Sequence, residues 1–424
     1  MTITMPDLSQ RYATLLEMAQ RISRTFDLPE ILELLLDAVR QVVPYDAAGV
    51  FVLNHSLGLP GTPEDRVVAA MATVGFEPNP NREDPMLRSG KGIIGHVIQT
   101  GFPVVVEDVR LDERYVAGRA GTISELAVPI SSNGKVIGAL NLESERRGAY
   151  ADSDAGELEY FAAVAAISIE KAVLHHQVVE KQHLEHHLAL AHEVQVNLLP
   201  ASAPRVHGYD LAGVNVPTME IGGDYFDYLP LDGGRLALVV ADVSGKGMAA
   251  ALIMATFRAS LRAELRRASG VEEIVSAVDS LLRESIDHAR YVTAVYGVLD
   301  PATGDFSYAN CGQTPPVLLR ADGSSVLLDK GRPALGMPVS IAGESGCVRL
   351  HPGDLLAIYT DGVVELSDAA GEEFGLRHFE ALLRDLAPRP AAEIVHEVKR
   401  ATLSYSGLRT YEDDFTLMIV KRLA

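Results

Sequence analysis

The stretch Ala241-Asp242-Val243-Ser244-Gly245-Lys246-Gly247 places an acidic residue between a strand and a helix. The continuous apolar run 236–240 before it predicts a buried strand, and residues 248–265 after it, rich in Ala and Leu, predict a helix. Asp242 therefore lies where the strand ends, and the two glycines allow the backbone to turn tightly. A buried carboxylate at this position is costly unless it is paired or binds a metal; the alternative is a solvated aspartate in a turn.

Further acidic sites show the same relation to predicted strands. Asp361 follows the strand at 354–360, Asp224 directly precedes another apolar segment, and Asp413-Asp414 precede the strand that begins at residue 415. Carboxylates together with a backbone carbonyl, without His or Cys beside them, favour Mg²⁺ or Mn²⁺ over zinc. Because these sites are far apart in sequence, the pattern predicts a metal site that only the folded chain assembles.

Ordered motifs at these sites carry a resemblance to a known family. The motifs are Gly222-Gly-Asp-Tyr-Phe-Asp227, Ala241-Asp-Val-Ser-Gly-Lys-Gly247, Tyr359-Thr-Asp-Gly-Val-Val-Glu365 and Asp413-Asp-Phe-Thr416. In this order they resemble the metal-dependent protein serine/threonine phosphatases of the SpoIIE/RsbU branch of the PPM family, over about residues 190–424. The resemblance implies an αββα sandwich, and the pattern beyond Pro200 also predicts many strands between helix pairs.

The resemblance also implies a site for two ions, Mn²⁺ or Mg²⁺, whose candidate positions are Asp224, Asp242, Val243, Asp361, Asp413 and Asp414. Asp242 would bridge both ions, and the Val243 carbonyl would complete one coordination sphere. Asp361 and Asp413 would hold the other ion, while Asp224 would bind the first directly or through water. Asp414 is the second choice in its pair. Asp242 and Asp361 are the residues expected to be catalytic.

Three neighbouring features leave their roles open. Thr293 resembles a family threonine behind the site, or is an ordinary β-branched strand residue. Lys246 could meet the phosphate or point to solvent. In Asn310-Cys-Gly-Gln-Thr-Pro-Pro316, Gln313 and Thr314 replace the His and Asn that are usual in the branch. Since this motif holds no metal in the resemblance, we expect the replacement to alter local geometry or substrate contacts.

The first part of the chain resembles a GAF domain over residues 15–174. Helical spacing covers residues 9–43, with a second helix beginning at Pro29; strands are predicted at 47–53 and 67–74, around a Gly/Pro-rich loop at 54–64. A helix between Gly92 and Gly101, a hairpin at Asn133-Gly134 and a helix at 154–174 complete the pattern. No Cys lies in this region, which excludes a thioether-linked chromophore. Two roles remain open: binding a small molecule, and dimerisation.

Residues 175–200 predict a helical connector with a weak coiled-coil pattern, because His176 and His183 fall on the seam. The preceding helix, 157–174, is apolar nearly all round, so it must be buried on more than one face. We therefore expect a homodimer in which the sensor and connector control the phosphatase domain, residues 201–424. The overall fold class is α+β.

The implied function is hydrolysis of phosphoserine or phosphothreonine on a regulatory protein, which the branch suggests is a STAS-type antagonist of an anti-sigma factor. The main alternative is a catalytically inactive GAF-phosphatase scaffold that binds a partner. A diguanylate cyclase is disfavoured because Gly222-Gly223-Asp224 continues Tyr-Phe rather than Glu-Phe. A P-loop is disfavoured because Gly247, not Ser or Thr, follows Lys246.

Composition limits the partners and the compartment. The 424 residues carry a formal net charge of −20, which argues against binding nucleic acid or an anionic membrane. Cys311 and Cys347 are the only cysteines, so a disulfide framework is excluded and a reducing cytoplasm fits. We find neither a signal peptide nor an apolar run of the roughly 20 residues that a membrane span needs. The sequence thus predicts a cytoplasmic protein.

Overall fold

The computed structural model describes residues 16–17, 20–22, 24–57, 68–76, 91–267, 270–287, 289–338, 341, 343–408 and 410–423. Its contacts divide the chain into two compact units, Met1–Leu184 and Glu185–Ala424. Much of the helix expected before residue 28 and most of the loop expected at 54–64 lie outside the described residues. No helix among the described residues is long and apolar enough to cross a membrane.

The first unit contains one antiparallel five-stranded sheet, in the order β2-β1-β5-β4-β3. The elements are α1 (Leu28–Val42), β1 (Ala47–Leu53), β2 (Val68–Val74), α2 (Gly92–Thr100), β3 (Val104–Val106), β4 (Ser124–Ser132), β5 (Lys135–Ser144) and α3 (Asp152–Val196), with 3₁₀ turns at Asn54–Leu57 and Val109–Leu111. Helix α1 begins where the Asp27 carboxylate accepts a hydrogen bond from the Glu30 amide at 2.9 Å, and it ends before Pro44.

Helices cover both faces of this sheet. On one face, α1 and α3 pack over alternating strand residues such as Val50 and Leu140, with Leu35 and Phe161 among the buried helix side chains. On the other face, α2 packs against a smaller apolar group that includes Ala139. This arrangement is the GAF architecture that the sequence predicts.

Helix α3 runs unbroken for 45 residues and includes both the helix predicted at 154–174 and most of the predicted connector. After Gly156, neither Gly nor Pro occurs before the helix ends. The continuity follows from composition, because Ala, Leu, Glu and Lys are strong helix formers. Its last turns belong to the second unit.

The second unit is an αββα sandwich. Its elements are β6 (Tyr209–Val216), β7 (Tyr225–Pro230), β8 (Leu236–Val243), α4 (Met248–Glu264), α5 (Val271–Ser285), β9 (Val292–Leu299), β10 (Asp305–Cys311), β11 (Val317–Leu319), β12 (Ser325–Leu327), β13 (Gly331–Arg332), β14 (Gly346–Arg349), β15 (Leu355–Tyr359), α6 (Gly375–Leu386), α7 (Ala391–Ser406) and β16 (Phe415–Arg422), with 3₁₀ turns at Asp232–Gly234 and Asp361–Val363.

Two sheets form the centre of this sandwich. One has the order β13-β10-β9-β8-β7, with β14 also paired to β10, and the other has the order β12-β11-β15-β16-β6. A core that includes Val240 and Ile358 lies between the sheets. Helices α4 and α5 cover the outer face of the first sheet, and α6 and α7 cover the outer face of the second.

The main difference from the predicted elements lies at residues 376–404, where one helical block was expected. The structure has two helices there, α6 and α7, separated at residues 387–390. Pro388 and Pro390 explain the break, because proline lacks the amide proton and its ring collides with the preceding turn of a helix. The two-residue strand β13 was not predicted, since so short a segment has no measurable periodicity.

Candidate metal centre

The acidic residues singled out in the sequence lie at neighbouring strand ends of the sandwich. Asp242 is the penultimate residue of β8, and Asp224 directly precedes β7, which pairs antiparallel with β8. In the other sheet, Asp361 follows the end of β15, and Asp413 precedes the start of the antiparallel neighbour β16. Antiparallel pairing brings the end of one strand beside the start of the next, so each sheet contributes acidic side chains to one edge.

Asp224 is the most deeply buried of these carboxylates, with 2% of its surface exposed. Its Oδ2 accepts hydrogen bonds from the hydroxyl groups of Thr360, at 2.8 Å, and Thr416, at 2.5 Å, so it connects the two sheets. Its Oδ1 is buried and has no hydrogen-bond partner. Burial raises the pKa of Asp224 well above its usual value, and the nearby charge of Asp242 raises it further.

Asp242 lies among like charges. Burial is the largest cause that raises the pKa of Asp242, to about 7, and the charges of Asp361, Asp413 and Asp414 add to it. Burial, and then the charge of Asp413, likewise raise the pKa of Asp361. A side-chain hydrogen bond with Asp224 lowers the pKa of Asp242, and the charge of Lys246 lowers that of Asp361, but burial and like charges outweigh both.

Lys246 provides partial compensation at the rim of the site. Its Nζ lies 3.2 Å from Asp413 Oδ1 and donates a hydrogen bond to the main-chain oxygen of Glu412 at 2.8 Å. The side chains of Lys246 and Asp413 are each about half exposed. Lys246 was expected either to meet the phosphate or to point to solvent. Neither role alone describes the structure, because the ammonium group pairs with an acidic residue of the site.

Asp414 is hydrogen-bonded to the loop that carries Asp224. Its two carboxylate oxygens accept hydrogen bonds from the amide groups of Thr218, at 2.8 Å, and Gly223, at 2.7 Å. A Cβ atom added at Gly222 would lie 2.3 Å from Asp414 Oδ2, so only glycine permits this close approach. These contacts engage both carboxylate oxygens of Asp414. In Asp413 only Oδ1 has such contacts among the described residues, with the Asp414 amide and Lys246.

The end of helix α3 holds the same loop from the other side. Gln195 Nε2 donates to the Gly222 carbonyl at 2.7 Å, and the Gly222 amide donates back to Gln195 Oε1 at 3.1 Å. His192 Nδ1 lies 2.5 Å from the Glu220 carbonyl oxygen. Gln195 was not predicted as a site residue. Its partner is a main-chain group, so the contact produces no recognisable sequence motif.

Gln313 connects the strand ends that carry Asp242 and Asp361. Thr293 Oγ1 lies 3.3 Å from the Asp242 carbonyl oxygen and is hydrogen-bonded to Gln313 Oε1. Gln313 Nε2 donates to the Tyr359 carbonyl at 3.2 Å, two residues before Asp361. Gln313 is 6% exposed, so these contacts are made inside the protein. Gln313 and Thr293 therefore lie behind the site and connect its two strand ends.

The Val243 carbonyl faces the same centre. A Cβ atom added at Gly223 would lie 3.0 Å from Val243 O, which places this oxygen beside the loop that leads to Asp224. Asp224, Asp242, Asp361, Asp413 and the Val243 carbonyl therefore lie around one edge of the sandwich.

We tested whether these residues suit a divalent ion. Within the described part of the chain, no three His, Cys, Asp or Glu side chains are already grouped closely enough to hold one ion. The donor chemistry nevertheless fits a hard cation, since the groups are carboxylate oxygens and one carbonyl. The unpartnered oxygen of Asp224 and the raised pKa of Asp242 both indicate missing positive charge. The residues thus fit Mn²⁺ or Mg²⁺ in chemistry, without forming a closed cage.

Two sheets between helix pairs, with carboxylates gathered at one edge, define the second unit as a PP2C-like phosphatase domain. Residues 232–423 match the family model described as Stage II sporulation protein E, and residues 26–170 match a GAF domain model. The chain therefore has a GAF domain followed by a SpoIIE-type domain of the PPM family, as both resemblances predicted.

Individual relatives match a little over half of the chain. Protein IcfG of Synechocystis sp. is 28% identical over 258 residues, which are 54% of this chain and 40% of that protein. Phosphoserine phosphatase RsbU of Bacillus subtilis is 23% identical over 244 residues, 57% of this chain and 72% of RsbU. The SiaA-PP2C domain of Pseudomonas aeruginosa has the same fold, with a TM-score of 0.52 and 22% identity over 58% of this chain and 99% of that domain. The chain thus spans less than half the length of IcfG.

Proposed function

We propose that the second unit is a protein serine/threonine phosphatase that uses two Mn²⁺ or Mg²⁺ ions. The observation that carries this proposal is the buried, unpartnered Oδ1 of Asp224 beside Asp242, whose pKa is raised by burial and then by like charges. A group of carboxylates that lowers the stability of the folded chain is expected where a bound cation compensates the cost. The relative RsbU, named a phosphoserine phosphatase, supports the same reaction.

Each residue of the centre has a proposed role. Asp242 would contact both ions, and the Val243 carbonyl and Asp224 would help to hold the first. Asp361 and Asp413 would hold the second. When bound, the ions supply an activated water and neutralise the charge of the phosphoryl group. We assign Asp413 rather than Asp414 to this set, because the Asp414 carboxylate already accepts two main-chain hydrogen bonds.

A substitution pair tests the metal-dependent activity. Hydrolysis of p-nitrophenyl phosphate is measured with Mn²⁺ and with a chelator, for the wild type, Asp242→Asn and the control Asp322→Asn, which changes an exposed aspartate in the β11–β12 turn. We expect activity only with metal, and only in the wild type and the control. Activity that survives the chelator, or that is unchanged in Asp242→Asn, would refute the role of the acidic centre.

We further propose that the substrate is a phosphorylated regulatory protein, a STAS-type antagonist of an anti-sigma factor. The similarity to RsbU supports this, and the site lies at an edge of the sandwich where an exposed loop of a folded protein can reach it. Candidate antagonists from the same genome, phosphorylated on Ser or Thr, are incubated with the full chain and Mn²⁺. Phosphate release from p-nitrophenyl phosphate but from none of these proteins would reject the substrate class. Inactivity on both would favour the alternative of a catalytically inactive scaffold.

We propose a homodimer formed through helix α3. Leu158, Phe161 and Ile169 bury one face of this helix in the first unit, whereas Tyr160, Ile167 and Leu174, spaced by seven residues, are more than half exposed. A heptad-spaced apolar stripe suits pairing with its own copy. The mass in solution should be that of a dimer for the wild type and of a monomer for Ile167→Glu. A monomeric wild type contradicts the proposal.

We propose that the chain divides into a sensor at residues 15–174, a connector at 175–200 and a phosphatase at 201–424. The contacts between Gln195 and the loop before Asp224 support a path by which the connector controls the site. The controlling element proposed here is thus the loop 218–223, in addition to the helices α4 and α5 that follow Asp242.

A further inference from the structure

The first unit buries a second polar cluster, far in sequence from the metal centre. Glu125 on β4 lies opposite Glu143 on β5 in the register of the sheet, and Asn141 on β5 lies two pairs away, opposite Ala127. All three side chains project from the face that α2 partly covers, opposite to the face that α1 and α3 cover. They are 3%, 0% and 4% exposed for Glu125, Asn141 and Glu143 respectively.

The amide group of Asn141 is only half satisfied. Its Nδ2 donates to Glu125 Oε1 at 3.3 Å and to Glu143 Oε1 at 3.5 Å, whereas its buried Oδ1 has no partner. This oxygen is directed over Gly49, where an added Cβ atom would lie 3.0 Å from it and 2.7 Å from the ring of Phe51. An unpaired buried acceptor is costly, and native proteins rarely keep one without a ligand or water.

The two glutamates are also poorly compensated in charge. Burial, and then the charge of Glu143, raise the pKa of Glu125 to about 8, and burial raises the pKa of Glu143 as well. One hydroxyl group helps, since Thr122 Oγ1 donates to Glu143 Oε2 at 2.5 Å. A hydrogen bond from a neutral donor does not replace a positive charge.

The nearby arginines make their hydrogen bonds to other carboxylates. Arg114 donates to both carboxylate oxygens of Asp112, at 2.9 and 2.6 Å. Arg119 donates from Nη2 to Glu145 at 2.5 Å, and its buried Nη1 has no hydrogen-bond partner. The charge of Arg114 lowers the pKa of Glu125, and that of Arg119 lowers the pKa of Glu143, but burial raises both pKa values more. The cluster therefore presents two carboxylates and an amide oxygen that together need N–H donors and positive charge.

We propose that Glu125, Glu143 and Asn141 form a binding site for a small organic cation that carries an ammonium group. An ammonium group has three donors and no acceptor, which matches the two carboxylates and the free Asn141 Oδ1. The ring of Phe51 beside this oxygen adds an aromatic surface that favours a cation or its alkyl chain. The proposal names a ligand class for the GAF domain and does not depend on the phosphatase activity.

Hydrogen–deuterium exchange of the full chain tests this site directly. The probes are n-butylamine, putrescine and agmatine, each compared with n-butanol at equal ionic strength. At a concentration about ten times its dissociation constant, a bound amine should slow exchange in β4 and β5 peptides by about tenfold. The effect should disappear in Glu125→Gln and Glu143→Gln and persist in the control Glu159→Gln, an exposed residue of α3. If none of the three amines slows exchange more than butanol, or if the slowing survives in both variants, the proposal is wrong.

The unliganded variants give a second measurement. Because Glu125→Gln removes a carboxyl group that is costly to ionise in its buried position and keeps the shape of the side chain, exchange in β4 and β5 should be no faster than in the wild type without amine. Faster exchange would show that the carboxylates serve the fold rather than a ligand, and would overturn the inference.

Discussion

Replacing Asp242 by Asn should stabilise the metal-free protein and abolish metal-dependent activity at the same time. The pKa of Asp242 is about 7 in the folded chain, against the ordinary aspartate value of 3.8. Since the folded state binds this proton more tightly than the unfolded state, the free energy of unfolding falls as pH rises from about 4 to about 7 and is then level. Asn carries no such proton, so the substitution removes this loss.

The size of the effect follows from the same shift. At about 1.4 kcal/mol per pKa unit, the wild type is less stable than a neutral reference by roughly 2 kcal/mol near pH 5 and roughly 4 kcal/mol near pH 8. The advantage of Asp242→Asn should therefore grow by about 2 to 3 kcal/mol between these pH values. In protection factors of the β8 amides, this is a change of roughly 30- to 100-fold.

Hydrogen exchange in the presence of a chelator measures this, after correction for the intrinsic effect of pH on exchange. The control Asp322→Asn should gain no advantage that grows between about pH 5 and about pH 8. Hydrogen bonds from Ser324 lower the pKa of Asp322, so its contribution to stability is complete above about pH 4. We reason that the folded chain destabilises the ionised carboxylate of Asp242. This idea is refuted if Asp242→Asn is less stable than the wild type near pH 8, or if its advantage in stability does not grow with pH.

Three further predictions concern residues around the centre. Gln195→Ala removes both hydrogen bonds to the main chain of Gly222, so the Mn²⁺ concentration needed for half-maximal activity should rise about tenfold; an unchanged titration contradicts this. Gln313→Leu keeps the volume but breaks the bridge between strand ends, and should lower kcat about tenfold or more with little change in KM for p-nitrophenyl phosphate. Thr416→Val removes a hydroxyl donor that lowers the pKa of Asp224, so the acidic limb of the pH–rate profile should move to higher pH; an unmoved limb argues against it.

The aspartates at strand ends are the part of the site that could be predicted from neighbouring residues in the sequence. An apolar run followed by Asp and Gly predicts a strand end and its turn, and this local signal places Asp242 and Asp361 correctly at strand ends. The order of the motifs then predicts the sandwich through resemblance. The break between α6 and α7 also has a local cause in Pro388 and Pro390, which the helical periodicity on either side obscured.

Contacts to the main chain are what the sequence does not reveal. Asp414 meets the amide of Gly223 across 191 positions of sequence, and Gln195 meets Gly222 across 27. Neither partner contributes a side chain, so no pairing of residue types marks the contact. Gln313 was noted only as a departure from the usual motif, and its bridging role depends on how close the two sheets lie.

During synthesis, β6 emerges long before the strand that will lie beside it. β16 pairs with β6, and Asn215 and Thr416, hydrogen-bonded across this pair, are 201 residues apart in the sequence. At about 5 to 20 residues per second, the ribosome needs roughly 10 to 40 s to make the intervening chain. Throughout that time β6 exposes unpaired amide and carbonyl groups to other nascent chains and to chaperones. Asp413 and Asp414 arrive just ahead of β16, so the acidic centre cannot assemble around an incomplete sheet.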